Sequence, residues 1–351
     1  MPKKHHRNCN LCEAICGIEI THENGKILKI EGDKADSFSR GHICPKAVAL
    51  QDIYEDKNRL RKPVKRSANG WQEISWDEAF DEVANKILDI QNRFSRDSIA
   101  VYQGNPSVHN LGTMLNSRDL LKSLKTKNNF SATSVDQLPH HFASWAMFGH
   151  QFLIPIPDID NTDFFLILGG NPLTSNGSLM TSPDILNRLE SIKKRAGKII
   201  LIDPRKTETA RVATEHFFIK PASDTYLLLA IINTLFVENL VDLGRLIEFT
   251  DGVGILQAVS SEWTVAKAEK MTGISADEIR RIAREFAKAK SAICYGRMGV
   301  SVQKFGGLCQ WLINAINILT GNFDRQGGAM FTAPAFDLLQ TSKGGEIFNR
   351  W

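Results

Sequence analysis

Short apolar runs recur from about residue 160 onward, and turns rich in glycine, proline or aspartate follow them. Longer segments with the spacing of amphipathic or buried helices lie between the runs. The predicted strands are residues 164–168, 198–202, 216–219 and 292–295, and the predicted helices are residues 183–195, 224–239, a segment opening at 275, and 308–319. Strands that alternate with helices of this length predict βαβ units and a parallel sheet.

The first 130 residues follow a different pattern. Apolar residues alternate on both sides of Asn24-Gly25, which predicts a β-hairpin. A basic connector at residues 57–66 ends this small unit. A capping-box sequence, Ser75 to Glu78, then opens a predicted helix, and a strand (98–103) and a helix (111–124) follow. The expected fold class is α/β: a small N-terminal β domain followed by doubly wound, mostly parallel αβα domains.

Composition limits the class of protein. A chain of 351 residues with 42% hydrophobic and 23% charged residues is typical of a globular protein with two or three folding units. The 43 Lys and Arg exceed the 39 Asp and Glu by only four, which gives no indication of a nucleic-acid partner. No apolar run approaches the roughly 18 residues of a membrane span. The basic N-terminus lacks an apolar segment, so we expect no secretory signal and a cytoplasmic location.

Four of the six cysteines lie within the first 44 residues, with the spacing Cys9-x2-Cys12-x3-Cys16-x27-Cys44. Four thiolates are the ligand complement of a [4Fe–4S] cluster, and one short loop can supply three of them. A structural zinc site and unliganded thiols are the alternatives, although zinc sites usually pair two short-spaced cysteine knuckles. The division into three plus one therefore favours iron–sulfur. Cys294 and Cys309 lie in apolar segments and are expected to be buried.

The turns after the predicted strands are candidates for nucleotide binding. They are Gly169-Gly170-Asn171, Asp203-Pro204-Arg205, Lys220-Pro221 with Asp224, and Gly296-Arg297-Met298-Gly299. In open α/β sheets, loops at the carboxyl ends of strands bind nucleotides, and glycine allows the backbone to approach a phosphate. Any one of these turns is equally compatible with an ordinary connection. No G-x-G-x-x-G sequence follows the first strand, so a usual NAD site is not expected.

Several segments, in order along the chain, resemble those of a known family. They are the cysteine spacing, Gly41-His42-Ile43-Cys44-Pro45-Lys46, residues 160–163 with Gly170-Asn171-Pro172, residues 202–209, Lys220-Pro221-Ala222-Ser223-Asp224, and residues 319–328. Together they resemble the N-terminal half of the molybdenum and tungsten bis-molybdopterin-guanine-dinucleotide oxidoreductases, the group of formate dehydrogenases, nitrate reductases and dimethyl sulfoxide reductase. Ala222 stands where the family usually has glycine, and Gln326 where proline is common.

The resemblance implies roles for individual residues. Cys9, Cys12, Cys16 and Cys44 would ligate a [4Fe–4S] cluster. Lys46 would lie between the cluster and a pterin and assist electron transfer, although by residue type it is an ordinary exposed lysine. The residues implied to hold a guanine dinucleotide are Gly170, Asn171, Asp203, Arg205 and Asp224. Gly299 and Gln303 would line the pterin, unless Gln303 is simply a polar residue at a helix start.

The implied metal ligand is Asp136, in Ser134-Val135-Asp136-Gln137. Family members carry Cys, selenocysteine, Ser or Asp on a loop before the Gly-Asn turn, and a carboxylate is a suitable hard ligand for oxidised molybdenum. The alternative is that Asp136 caps the helix predicted to begin near Pro139. His140 and His141 would line a substrate funnel or lie on a polar surface.

The implied function is a two-electron redox reaction at molybdenum or tungsten, with electrons leaving through the cluster. The expected domains are residues 1–62 for the cluster, 63–130 for the first part of a discontinuous α/β domain continued at 330–351, and 131–329 for the nucleotide-binding domain. The expected partners are a small-molecule redox substrate and an electron-transfer protein.

Two departures from the family bear on that function. No cysteine lies near Asp136, and the R-G-Q stretch of formate dehydrogenases is absent, so formate is not supported as the substrate. The C-terminal half of the family fold is also missing. Two alternatives therefore stay open: a non-catalytic fragment or electron-transfer subunit that needs a second polypeptide, and a zinc-stabilised nucleotide-binding module.

Overall fold

The computed structural model describes residues 1–104, 106–177, 179–180 and 182–333. The chain divides into two compact units, Met1–Ala132 and Thr133–Trp351. Of the predicted continuation of the discontinuous domain at 330–351, residues 334–351 lie outside the described part. The predicted boundary near residue 62 between the cluster domain and the next domain stays a prediction.

Unit 1 opens with an antiparallel sheet of three strands, β1 (Lys3–Asn8), β2 (Gly17–Glu23) and β3 (Lys26–Gly32), in that order. Asn24 and Gly25 join β2 to β3 with φ angles of 49° and 76°, the left-handed backbone that a tight hairpin turn requires. The predicted hairpin is confirmed. The apolar pattern does not predict β1, because all six of its residues are polar and exposed.

The rest of unit 1 has little apolar core. Its helices and strands are α1 (Pro45–Val48), α2 (Leu50–Glu55), β4 (Val64–Ser67), β5 (Gly70–Glu73), α3 (Trp76–Arg93), β6 (Val101–Gln103), α4 (Pro106–His109), α5 (Leu111–Leu124) and β7 (Asn129–Ser131), with a 3-10 turn at Arg96–Ser98. β4 and β5 form a hairpin, and β6 pairs with β7 in parallel. Ser75 caps α3 by accepting the backbone N–H of Glu78 at 3.1 Å, as the capping box predicts. α3 buries none of its side chains, and α5 buries only Leu124.

Unit 2 alternates helices with the strands of a parallel sheet. Its helices and strands are α6 (Leu138–Phe148), β8 (Ile156–Pro157), β9 (Phe164–Leu168), α7 (Pro172–Ser175), α8 (Ile185–Lys194), β10 (Lys198–Ile202), β11 (Glu215–Phe217), α9 (Asp224–Val237), α10 (Val253–Ser261), α11 (Val265–Thr272), α12 (Ala276–Lys288), β12 (Ala292–Gly296), α13 (Met298–Ser301), α14 (Gly306–Leu319) and β13 (Ala329–Met330). Short 3-10 turns cover Ala132–Val135, Thr209–Arg211 and Gly244–Phe249. β8 and β13 form a separate antiparallel pair.

The order of the main sheet creates a site at its carboxyl edge. The strands lie in the order β11-β10-β9-β12, and all of them are parallel. The chain adds β10 and β11 on one side of β9 and then crosses over to add β12 on the other side. Such a reversal between β9 and β12 is a topological switch point, where open α/β sheets form a crevice for ligands.

Helices cover both faces of this sheet. Alternate residues of β9 point to opposite sides, so that Leu166 packs with α9, α12 and α14 and Phe165 packs with α8. Both layers are closely packed, with β9 buried along its whole length. The expected doubly wound αβα arrangement is confirmed in this unit. Cys294 and Cys309 are buried in the larger layer, as expected.

Among the helices of the described residues, none combines the length and the apolar character that crossing a bilayer requires.

Candidate cofactor-binding site

The four N-terminal cysteines lie around one loop of unit 1. Cys9 follows β1, Cys12 and Cys16 precede β2, and Cys44 precedes α1. The backbone N–H of Cys9 donates to the carbonyl of Cys16 at 2.8 Å and closes the loop. Electrostatic interactions of Cys12 and Cys44 contribute to raising the pKa of both Cys9 and Cys16, so all four thiols lie near one another. Lys46 lies in α1 with its side chain exposed.

Burial controls the ionisation of this group. It raises the pKa of the Cys9 thiol, and it raises the pKa of the Cys16 thiol to about 11. Both groups are therefore protonated at neutral pH when no metal is bound. Metal ligation requires thiolates, so cluster binding must release these protons.

The four thiols would supply the donor set of a [4Fe–4S] cluster. Each thiolate of such a cluster binds a different iron. Within the described ranges, no three His, Cys, Asp or Glu side chains converge closely enough to hold a single metal ion.

A glycine contact brings Cys44 back to the other three cysteines. A Cβ atom added to Gly32 would lie 1.9 Å from the carbonyl oxygen of Gly41. The end of β3 and the segment before Cys44 thus pack backbone against backbone, which only glycine permits at this position.

Asp136 lies in unit 2 beside the carboxyl end of β12. Its carboxylate accepts a hydrogen bond from Nη1 of Arg297, the residue that follows β12, and the two form a partly buried ion pair. Gln137, not Asp136, is the residue that precedes α6. The alternative that Asp136 caps this helix is therefore wrong. The contact brings Asp136 to the switch point between β9 and β12.

His140 and His141 are buried in α6, so the alternative of a polar surface position is wrong for both. Nε2 of His140 lies 3.1 Å from the carbonyl oxygen of Gly296, and Nδ1 of His141 lies 2.9 Å from that of Gln151. Burial lowers the pKa of His140 to about 4, which makes the imidazole neutral at physiological pH. His140 thus anchors the start of α6 to the end of β12.

The turns after β9 and β12 touch each other through glycines. The N–H of Gly299 donates to the carbonyl of Gly169 at 2.9 Å, and a Cβ atom on Gly299 would lie 2.7 Å from the Cα of Gly169. Gly170 is also confined, since its Cβ atom would lie 3.3 Å from Cβ of Arg297. The predicted pterin-lining Gly299 and nucleotide-binding Gly170 therefore stand together at the switch point.

Asn171 connects the turn after β9 to the loop after β10. Its side-chain Nδ2 donates to Glu208 at 2.7 Å, and its Oδ1 accepts the hydroxyl of Thr209 at 2.8 Å. Arg205 in the same loop is exposed, and its guanidinium lies 3.6 Å from Glu208. Asn171 thus fixes the loop, while the charge of Arg205 is available at its surface.

Two carboxylates with raised pKa values lie near the ends of β10 and β11. Burial raises the pKa of both Asp203 and Asp224, and the negative charge of Asp203 adds to the effect at Asp224. Nε2 of Gln303 donates to Oδ2 of Asp224 at 2.9 Å. Ala222, just before α9, has a φ of 64°, which explains why glycine suits this turn. The structure therefore joins Gln303 directly to the nucleotide-binding candidates.

Sequence profiles of known families match both the N-terminal segment and most of the remaining chain. The sequence profile of the molybdopterin oxidoreductase Fe4S4 domain matches residues 3–56. The profile of the molybdopterin oxidoreductase family matches residues 59–341, well over half of the chain. The chain belongs to the molybdopterin oxidoreductase family. This family's cofactors are molybdopterin, with molybdenum or tungsten, and a [4Fe–4S] cluster.

Individual relatives within the molybdopterin oxidoreductases are distant. Formate dehydrogenase H of Escherichia coli (strain K12) is 30% identical over 324 residues, which cover 90% of this chain and 44% of the relative. The nitrate reductase of Symbiobacterium thermophilum is 28% identical and is covered to the same extent. The solved structure of the acetylene hydratase from Pelobacter acetylenicus superposes with a TM-score of 0.79 at 25% identity, over 95% of this chain and 45% of that one. The chain thus spans somewhat less than half the length of these relatives.

Some residues of this candidate site carry little signal in the sequence. Arg297 is 161 positions from Asp136, and only the fold brings the two together. Glu208 lies within a recognised segment, but its contact with Asn171 spans 37 positions. The turn Gly296-Arg297-Met298-Gly299 is the one sequence feature that points to Arg297, because it follows a predicted strand.

Proposed function

We propose that the chain is the cofactor-binding half of an enzyme that performs two-electron redox chemistry at molybdenum or tungsten. The observation that carries this proposal is the position of Asp136, whose carboxylate meets Arg297 at the switch point of the sheet. A bound bis-molybdopterin guanine dinucleotide would supply the metal that exchanges two electrons with a small-molecule substrate, and the [4Fe–4S] cluster would pass electrons singly to a partner protein.

In this proposal Asp136 is the protein ligand of the metal. A carboxylate oxygen suits oxidised molybdenum, and the ion pair with the Arg297 guanidinium holds the Asp136 carboxylate at the sheet edge. Lys46 assists electron transfer beside the cluster. The backbones of Gly169 and Gly299 pack closely at this edge, where a flat, polar group would bind.

The guanine dinucleotide is proposed to lie along the same edge. Asp203 and Asp224 would accept hydrogen bonds from the base, because Asp224 is buried, Asp203 is partly buried, and burial disfavours the charge of both carboxylates unless donors compensate it. Arg205 would reach a phosphate, since its guanidinium is exposed. Gly170 and Asn171 would shape the turn under the dinucleotide.

Exposed apolar surface supports a second candidate, a chain that holds the cluster but needs a further polypeptide for catalysis. α3 buries no side chain, and relatives are about twice as long as the matched region. Formate is not the proposed substrate, despite the name of one relative, because no cysteine lies near Asp136, the proposed metal ligand.

The test is the content of iron, molybdenum, tungsten and zinc in anaerobically purified chain, with GMP released on acid hydrolysis. About four irons per chain with stoichiometric molybdenum or tungsten and GMP support the proposed enzyme. In Asp136→Ala, we expect molybdenum or tungsten to fall while iron is retained. Iron without molybdenum, tungsten or GMP supports the second candidate, and zinc in place of iron contradicts both.

A further inference from the structure

The Asp224 carboxylate accepts a hydrogen bond from another side chain of the same protein. The residue is 5% exposed at the start of α9, and Nε2 of Gln303 donates to its Oδ2 at 2.9 Å. A buried carboxylate that lacks a donor loses the solvation of its charge without compensation. Gln303 therefore satisfies an acceptor that the proposed function assigns to a nucleotide base.

The side chain of Gln303 is weakly held and can move away from Asp224. It lies in the turn between α13 and α14 and is only partly buried. Its second contact, with the carbonyl oxygen of Gly299, is long at 3.4 Å. A change of side-chain rotamer in such a turn disturbs no buried packing, whereas Asp224 is held in place by the helix it begins.

The chemistry of the contact resembles that of guanine. A primary amide presents an N–H donor to the carboxylate, and the guanine edge presents two donors, N1–H and the exocyclic amine, to the same kind of acceptor. The adenine edge has an acceptor at N1, so it leaves part of a buried carboxylate unpaired. Sites built around a hydrogen bond reject analogues that lack the matching group.

We propose that Gln303 is an internal competitor for the guanine site: its amide occupies Asp224 while the base is absent and gives way when a guanine nucleotide binds. The inference rests on the proposed function, because it assumes that Asp224 meets the base. The amide competes with guanine for Asp224. The apparent affinity for the nucleotide is therefore the intrinsic affinity multiplied by the fraction of chains in which Asp224 is free.

The experiment is calorimetric titration of the purified chain with GDP and with ADP. We expect Gln303→Ala and Gln303→Ser to bind GDP roughly three- to tenfold more tightly than the unmodified chain, with ADP binding unchanged. The matched control is Gln257→Ala, since Gln257 is exposed on α10. Asp224→Asn should lose the preference for GDP over ADP.

Thermal unfolding provides a second measurement on the same proteins. Without nucleotide, Gln303→Ala should unfold at a lower temperature, because Asp224 then lacks its side-chain donor. GDP should offset this loss, because it should raise the unfolding temperature of Gln303→Ala more than that of the unmodified chain. Unchanged or weaker GDP binding by the Gln303 variants overturns the inference and leaves the proposed function standing. Absence of GDP binding in every protein, the unmodified chain included, contradicts the nucleotide site itself.

Discussion

Ala222 occupies a backbone position that favours glycine. Its φ of 64° is left-handed, and its side chain is exposed, so a glycine would relieve strain without removing packing. We expect Ala222→Gly to raise the free energy of unfolding by about 0.5–1 kcal/mol, the strain relieved less the entropy that glycine loses on folding. The measurement is urea denaturation. Ala258→Gly, at an exposed position of the helix α10, should instead cost about 1 kcal/mol.

Gly32 permits the backbone contact that returns Cys44 to the cysteine loop. A Cβ atom there would overlap the carbonyl of Gly41, so Gly32→Ala must move one backbone away from the other. We expect a loss of about 1–3 kcal/mol of stability in unit 1 and fewer irons per chain after anaerobic reconstitution. Gly254→Ala is the control, because its Cβ atom would meet no atom within 4 Å. Full iron content in Gly32→Ala would contradict the role given to this contact.

The raised pKa of Cys16 makes the metal-free chain sensitive to alkaline pH. Burial raises the pKa from 9.0 to about 11, so between these values the unfolded chain loses a proton that the folded chain keeps. Folding stability must therefore fall as pH rises from 9 towards 11, by at most about 3 kcal/mol for this group. Below pH 9 the group has no effect.

Urea denaturation of the reduced, metal-free chain at pH 7, 9 and 10.5 tests this dependence. The stability of the unmodified chain should decrease above pH 9 more steeply than that of Cys16→Ser, which lacks the thiol. Parallel pH profiles for the two proteins would show that burial does not keep this thiol protonated.

The proposed cysteine ligands and the strand-end glycines are the candidate site residues that sequence alone predicts most directly. Cys9, Cys12 and Cys16 are close along the chain, so their spacing reveals the loop. The partners of Asp136 and Asp224 are invisible in the sequence, because Arg297 and Gln303 lie 161 and 79 positions away. Such contacts depend on the strand order, which apolar periodicity does not specify.

Among the secondary-structure elements, the mainly apolar central strands are predicted accurately, whereas the polar strand β1 is missed. Phe164–Leu168 and Lys198–Ile202 have the predicted bounds, because central parallel strands are buried on both faces. β1 is an exposed edge strand whose Lys, His and Arg side chains carry no apolar period. Its pairing with β2 alone defines it.

A serine caps the N-terminus of both α12 and α3, but the two helices differ in the side chains that they bury. Phe286 of α12 is fully buried and packs edge to face on Phe164, with ring centroids 5.7 Å apart. Phe80 of α3 is 63% exposed. We expect Phe286→Ala to cost about 3–5 kcal/mol of unfolding free energy and Phe80→Ala less than about 1 kcal/mol. Chemical denaturation measures both, and equal losses would contradict the burial assigned to these helices.

At the scale of the whole molecule, the described part of unit 1 carries exposed apolar side chains. The exposed side chains on its two longest helices are Trp76, Phe80, Val83 and Leu88 of α3, and Leu111, Met114, Leu115 and Leu120 of α5. Extended exposed apolar surface is typical of interaction sites. Relatives contain about as much further chain again, so we propose that additional polypeptide of the family fold packs there.

Without such a covering polypeptide, the purified chain should associate with itself through the same helices. We expect sedimentation velocity to detect concentration-dependent association at micromolar concentration, because burying these side chains removes apolar surface from water. A chain carrying both Phe80→Glu and Leu115→Glu should stay monomeric, since charge opposes burial. The matched control, Phe80→Leu, keeps the apolar character and should associate like the unmodified chain. Because both positions are exposed, the glutamate variant should retain its circular dichroism spectrum. Equal association of all three proteins would show that the contact surface lies elsewhere on the chain.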